Sequence, residues 1–239
     1  MLDTFAGIGG FSYAAHKLVG GFETTQFVEI DPFCQKILKK HFPTVPCHDD
    51  IKTFSAIPGQ YDVITGGFPC QDISVAGRRE GITEQSRSGL FYSLMRVICL
   101  VRPRFVVMEN VAAILNNGLD IVLGELSEAG YNAEWSIISA SSLGASHRRS
   151  RWWCVATLAD SNSKRLQREV FSKMESGIWS AKHTGRLDPN WRSYVSKPIL
   201  PRGSYGLSYR VDRTKALGNS IVPAVAAIPL QRVHDLYYK

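Results

Sequence analysis

A thiol and a carboxyl each follow an apolar run that is long enough to form a buried strand. Cys70 lies in GGFPCQDIS, soon after YDVIT, and Glu109 lies near the end of RFVVMEN. A thiolate is a strong nucleophile, and a carboxyl whose pKa is raised by burial can donate a proton. Together the two residues predict nucleophilic catalysis assisted by an acid. Taken alone, Cys70 is more typical of a buried structural thiol.

Two further groups of polar residues could complete such a site. Arg149 and Arg151 alternate with Ser150 in SHRRSRWW, so they share one face of a strand start. Two fixed guanidinium groups can hold an anionic phosphate and stabilise a thiolate. Asn219 and Ser220 stand in the turn LGNS before the last predicted helix, where helix capping alone would explain them. We expect the arginines to act at the site.

A glycine-rich turn near residue 7 suits a bound ligand. Gly7 and Gly9 in FAGIGG follow the first predicted strand, and glycine there lets the backbone approach a ligand closely. Glu29 ends the second predicted strand, where a carboxylate can accept both hydroxyls of a ribose. Asp50 follows the third strand position and could bind an adenine amino group. Ser12 stands where a dinucleotide fingerprint needs Gly or Ala, which disfavours an NAD-dependent dehydrogenase.

The elements that position these residues alternate along the first 158 residues. Apolar runs predict strands at LDTFAG, TTQFVEI, YDVITGG, RFVVMEN, AEWSIIS and RWWCVATL, with amphipathic helices between most of them. This order predicts a doubly wound, Rossmann-like α/β sheet, whose sites lie at the carboxyl ends of its strands. We expect a catalytic domain over 1–158, a short irregular region over 159–211, and a segment over 212–239 that packs back on the sheet.

Charge and cysteine usage narrow the class of protein. The net charge of the 239 residues is +7, and residues 148–215 hold 15 Lys and Arg against 5 Asp and Glu. Aromatic residues are interleaved with these cations, which suits a phosphate backbone and unstacked bases, although a solvated basic face would look the same. Five scattered cysteines without a C-x-x-C pair favour a reducing cytoplasm and predict no metal site. No apolar stretch reaches the roughly 20 residues of a membrane span.

Seven short motifs, in order, resemble those of the DNA (cytosine-5)-methyltransferase family: DTFAGIGGFS, VEID, HDDI, GGFPCQDIS, MENV, SHRRSRWW and ALGNSIVP. The resemblance implies S-adenosylmethionine as the cofactor and a basic target-recognition region over 159–211. It implies that Cys70 adds to C6 of a flipped-out cytosine, that Glu109 hydrogen-bonds to or protonates N3, and that Arg149 and Arg151 orient the base. The residues that it implies around the cofactor are Phe5, Gly7, Gly9, Glu29, Ile30, Asp50, Pro69, Asn219 and Ser220.

The resemblance also bears on partners. It implies double-stranded DNA as the substrate and a monomer in a restriction-modification, phage or plasmid setting, with or without a companion restriction endonuclease. Two alternatives stay open: an RNA cytosine-5 methyltransferase of the transfer-RNA type, and a catalytically impaired relative that only binds DNA. His147 stands where the family usually has glutamine, and the 159–211 region is shorter than in most members. These departures concern recognition of the target rather than the chemistry motifs.

Overall fold

A seven-stranded sheet forms the centre of the molecule. The structure, a computed structural model, describes residues 1–69, 89–116, 118–159, 216 and 218–238. Cys70 and the predicted recognition region beyond residue 159 lie outside these residues. The strands are β1 (Leu2–Thr4), β2 (Gln26–Val28), β3 (Cys47–His48), β4 (Val63–Gly66), β5 (Phe105–Val111), β6 (Tyr131–Ser139) and β7 (Ser150–Leu158).

The order of the strands in the sheet is β3-β2-β1-β4-β5-β7-β6. The first five strands pair in parallel, as crossover connections through helices require. β7 lies antiparallel between β5 and β6, because only a short segment joins β6 to β7 and the two strands form a hairpin. The predicted doubly wound, Rossmann-like α/β sheet is confirmed, with one reversed strand that the apolar pattern did not indicate.

Helices cover both faces of the sheet. They are α1 (Gly10–Tyr13), which continues as a π-helix over Ala14–Val19, α2 (Pro32–His41), α3 (Leu90–Val101), α4 (Leu119–Glu128) and α5 (Pro223–Tyr237). Two short 3-10 helices span Ala112–Asn116 and Ala140–Leu143. The Asp31 side chain caps α2 by accepting from the amides of Phe33 and Cys34, and proline at the first position of α2 and α5 has no amide to leave unpaired.

Alternate residues of the central strands enter two separate cores. Val106 and Met108 of β5 pack in a cluster with α3 and α4, whereas Phe105 and Val107 pack in a cluster with α1 and α5. Strands that are buried on both faces read as continuous apolar runs, which is why they were recognisable in the sequence. Among the described helices, none has the length and apolar character needed to cross a bilayer.

Candidate active site

The carboxyl end of β5 places an acid beside a guanidinium group. Glu109 pairs with Trp153 of the antiparallel strand β7, and Arg151 lies two residues earlier in β7. The distance from Arg151 Nε to Glu109 Oε1 is 3.1 Å, and the Glu109 side chain is 14% exposed. Burial raises the pKa of Glu109, while the positive charges of Arg151 and Arg149 act in the opposite direction. The result is a largely buried carboxyl that retains its proton to a higher pH than an ordinary glutamate.

The neighbouring strand β4 brings the loop that leads to Cys70 against this carboxyl. A Cβ atom on Gly67 would lie 3.3 Å from Glu109 Oε2, so only a residue without a side chain fits there easily. The Asn110 side chain donates to the carbonyl of Phe68 at 3.2 Å and accepts from the Val111 amide at 2.8 Å. The described part of this loop ends at Pro69. The backbone is thus fixed beside Glu109 until one residue before the predicted nucleophile.

Arg149 connects the start of β7 to the segment before α5. Its Nη1 donates to the Gly218 carbonyl at 2.9 Å and its Nη2 donates to the Ser220 carbonyl at 2.6 Å. The residue is not glycine yet has φ of 32°, and burial lowers its pKa. The same segment contacts the glycine-rich turn, since a Cβ atom on Gly10 would meet the Ile221 backbone oxygen at 3.0 Å. Through these two hydrogen bonds, Arg149 holds the segment that contains the predicted site residues Asn219 and Ser220 against the start of β7.

A second group of predicted residues meets at the carboxyl ends of β1 and β2. Glu29 is 8% exposed, and its Oε2 and Oε1 accept from the amides of Gly7 at 2.7 Å and Asp31 at 2.8 Å. Burial raises the pKa of Glu29, and these two hydrogen bonds offset only part of the rise. Gly7 has φ of 54°, a left-handed conformation that favours glycine. Glu29 thus fixes the shape of the turn that is predicted to hold a ligand.

The remaining predicted ligand-binding residues surround that turn. Ile30 is 70% exposed directly after Glu29. The Asp50 carboxylate accepts from the Lys52 amide at 2.9 Å and follows β3, which pairs with β2. Phe5 has φ of 51°, and a Cβ atom on Gly9 would meet the Phe42 ring at 3.0 Å.

Two residues of the site were not assigned a role from the sequence. Asn110 holds the Phe68 carbonyl, and Asp3 accepts hydrogen bonds from Ser12 and Thr65 while fully buried. A signal was available for Asp3, because an acid inside a short apolar strand must find partners when it is buried. The signal for Asn110 was weaker, because its partner is a backbone carbonyl 42 residues away.

The chain matches the model of a known family. The description of that family is C-5 cytosine-specific DNA methylase, and the match covers residues 1–202. Type II methyltransferase M.CviJI of Paramecium bursaria Chlorella virus IL3A is 39% identical over 162 residues, which cover 66% of this chain and 43% of the relative. Type II methyltransferase M2.BsuMI of Bacillus subtilis is 37% identical over 166 residues, which cover 66% and 42%. The chain spans less than half the length of these curated relatives.

Solved structures share the fold. A Spodoptera frugiperda DNMT2 mutant superposes with a TM-score of 0.55 at 22% identity, covering 67% of this chain and 50% of that one. A putative DNA modification methyltransferase encoded within an Escherichia coli prophage superposes with a TM-score of 0.54 at 25% identity, covering 70% and 47%.

Proposed function

Because this chain belongs to the C-5 cytosine-specific DNA methylase family, we propose that it transfers a methyl group from S-adenosylmethionine to C5 of cytosine in double-stranded DNA. The observation that carries the proposal is the position of Glu109. Its buried carboxyl pairs with Arg151, and a Cβ atom on Gly67, three residues before Cys70, would lie 3.3 Å from Glu109 Oε2. The Glu109 carboxyl, the Arg151 guanidinium and the backbone that leads to Cys70 therefore meet at the carboxyl ends of the strands.

The residues at the glycine-rich turn fit S-adenosylmethionine. Each Glu29 oxygen accepts one backbone hydrogen bond, and an ionised carboxylate oxygen can accept a second, so ribose hydroxyls can bind there. Among the described residues, no heavy atom lies within 4 Å of a Cβ position on Gly7, which leaves room for a ligand against the backbone. The exposed Ile30 side chain offers an apolar surface to a purine ring. When bound, S-adenosylmethionine supplies an electron-poor methyl group.

The proposed chemistry uses the residues of this chain in defined roles. Cytosine C5 is a poor nucleophile, so the Cys70 thiolate adds to C6 while Glu109 hydrogen-bonds to or protonates N3. This addition would place electron density on C5. C5 would then take the methyl group as the bond between that methyl and the sulfonium sulfur breaks and the sulfur leaves as a neutral thioether. Loss of the C5 proton and of the Cys70 sulfur restores the aromatic ring. Arg151 lies beside Glu109 and would contact the base, whereas Arg149 holds Gly218 and Ser220.

Access to the base requires DNA binding outside the described residues. A base inside a duplex must be extruded before its C5 and C6 atoms can be reached, at a cost of a few kcal/mol. The basic 148–215 segment holds 15 Lys and Arg, and those beyond residue 159 would supply phosphate contacts for this step. The proposal includes a restriction-modification, phage or plasmid setting, which the similarity to type II methyltransferases supports.

The test is transfer of labelled methyl groups from S-adenosylmethionine to duplex DNA, with transfer RNA assayed beside it. We expect label on cytosine C5 of duplex DNA, loss of label in Cys70→Ala, and unchanged transfer in Cys99→Ala, a matched change at an exposed thiol of α3. Label on transfer RNA alone would favour the RNA alternative. Binding of DNA with a steep salt dependence and without turnover would identify a non-catalytic relative.

A further inference from the structure

A fully buried carboxyl lies between the two loops of the candidate site. Asp3 of β1 is 0% exposed. Its Oδ2 accepts from the Ser12 hydroxyl at 2.6 Å and from the Ser12 amide at 3.2 Å, and its Oδ1 accepts from the Thr65 hydroxyl at 2.9 Å. One short side chain is therefore attached to α1 on one side and to β4 on the other.

Each partner of Asp3 leads directly to a predicted site loop. Ser12 lies in α1, which follows the glycine-rich turn, and its hydroxyl also accepts from the Thr24 hydroxyl at 3.0 Å. Thr65 lies in β4, two residues before Gly67, and its carbonyl accepts from the Thr4 hydroxyl at 2.7 Å. The Ser12 contact fixes the turn proposed to hold the cofactor. The Thr65 contact fixes the strand that continues toward Cys70.

Burial of a carboxyl is unfavourable unless polar groups compensate it. Here three donors from two different elements converge on one side chain, with only one rotatable bond between the Asp3 Cβ and its carboxyl group. An apolar residue at position 3 would fill the same core without that cost. These hydrogen bonds thus fix the distance between the start of α1 and the end of β4. Apolar packing alone would not need a carboxyl at this position.

We propose that Asp3 is a positioning residue that holds the cofactor-binding turn and the backbone of residues 67–69, which leads to Cys70, in a fixed mutual arrangement. The inference rests on the proposed function, since that function assigns what the two loops bind. Asp3 does not touch the reacting atoms. It acts through Ser12 on the binding of S-adenosylmethionine and through Thr65 on the attack by Cys70.

The effects of the two sets of hydrogen bonds, between Asp3 and Ser12 and between Asp3 and Thr65, can be separated by experiment. Ser12→Ala removes the two hydrogen bonds of the Ser12 hydroxyl, to Asp3 and from Thr24, on the side of the cofactor turn. Thr65→Val removes the hydrogen bond to Asp3 on the side of the Cys70 loop, and Asp3→Asn disturbs both sides. The first readout is the equilibrium dissociation constant of S-adenosylmethionine without DNA. The second readout is the rate constant for covalent trapping on duplex DNA that contains 5-fluorocytosine, measured at saturating cofactor. Tyr131→Phe, which removes a buried hydrogen bond to the Pro103 carbonyl at the other end of the sheet, is the matched control.

We expect Ser12→Ala to weaken cofactor binding about tenfold and to leave trapping within about twofold of the wild type, in line with the loss of the hydrogen bonds of the Ser12 hydroxyl. Thr65→Val should show the reverse pattern, and Tyr131→Phe should change neither readout. The inference would be overturned if Ser12→Ala and Thr65→Val each changed both readouts equally, or changed neither. This holds even if Asp3→Asn does not fold. Absence of trapping by the wild-type chain would instead contradict the proposed function.

Discussion

The environment of the Glu109 carboxyl favours its protonated form. Burial raises its pKa, and the Arg151 and Arg149 charges counteract the rise without cancelling it. A carboxyl in this balance keeps a proton available for a ring nitrogen while remaining able to release it. The raised pKa also determines how the reaction rate depends on pH. Reactions that need protonated Glu109 become slower as the pH rises through the raised pKa.

Removal of the Glu109 proton should slow the covalent step. Glu109→Gln keeps the shape and a hydrogen-bond donor but cannot transfer a proton, so we expect the rate constant for adduct formation to fall by about 10²-fold. Single-turnover trapping on duplex DNA measures this rate constant. Glu128→Gln, at an exposed position of α4, is the control and should stay within about twofold of the wild type. A rate for Glu109→Gln close to that of the wild type would remove the carboxyl from the mechanism.

The sequence predicted Glu109 better than it predicted Arg149. Glu109 follows a buried apolar run, and strand ends of parallel sheets meet at one edge, so its neighbours could be inferred. The acceptors of Arg149 are backbone carbonyls of Gly218 and Ser220, about 70 residues further along the chain. Backbone carbonyls carry no residue type, so the sequence pattern did not reveal this contact.

At the scale of elements, the closeness of β4 and β5 limits what the Cys70 loop can contain. A methyl group on Gly67 would press on Glu109 Oε2 from 3.3 Å. We expect Gly67→Ala to lower the rate constant for adduct formation about tenfold while the unfolding free energy changes by less than about 1 kcal/mol.

Gly124→Ala in α4 is the matched control, because a Cβ atom there meets no heavy atom of the described residues within 4 Å. It should raise the unfolding free energy by about 0.5–1 kcal/mol without a change in activity, as expected for an alanine inside a helix. Urea denaturation measures the stability of both variants. Equal activity of the two variants would show that the Gly67 contact has no role in catalysis.

The junction between β7 and the segment before α5 allows another test. Lysine at position 149 carries one nitrogen and cannot reach two carbonyls as the Arg149 fork does. We expect Arg149→Lys to speed hydrogen exchange at the amides of residues 218–222 and to weaken S-adenosylmethionine binding several-fold. Arg104→Lys, one residue before β5 and thus at the other end of the strands, should leave both unchanged. Unchanged exchange in Arg149→Lys would mean that other contacts hold this segment.

Most helices and strands were predictable because their apolar periodicity is strong. Two features could not be predicted from the sequence. The reversed direction of β7 depends on the short link from β6, while its buried residues read like those of any central strand. The π-helical turn over Ala14–Val19 keeps nearly the same apolar positions as an α-helix, so the pattern cannot distinguish them.

For the whole molecule, the buried Asp3 carboxyl connects stability to pH. Burial raises its pKa from 3.8 to about 7. Between these values the unfolded chain has released the proton while the folded chain still holds it, so the unfolding free energy falls as the pH rises through this range and levels off above it. We expect the stability of the wild type relative to Asp3→Asn to decline from about pH 4 to about pH 7. Urea denaturation across this range measures it, and a constant difference would contradict the buried protonation.

The packing of α5 against α1 has a consequence for how the protein is made. Phe11 and Trp153 share their core with Val225, Leu230 and Val233 of α5. Ribosomes add roughly 5–20 residues per second, so residues 1–159 emerge several seconds before this helix. During that interval the nascent chain presents an uncovered apolar face to the solvent. We expect chaperones that bind such faces to associate with a stalled nascent chain from which residues 1–159 have emerged, and to leave once α5 has emerged as well.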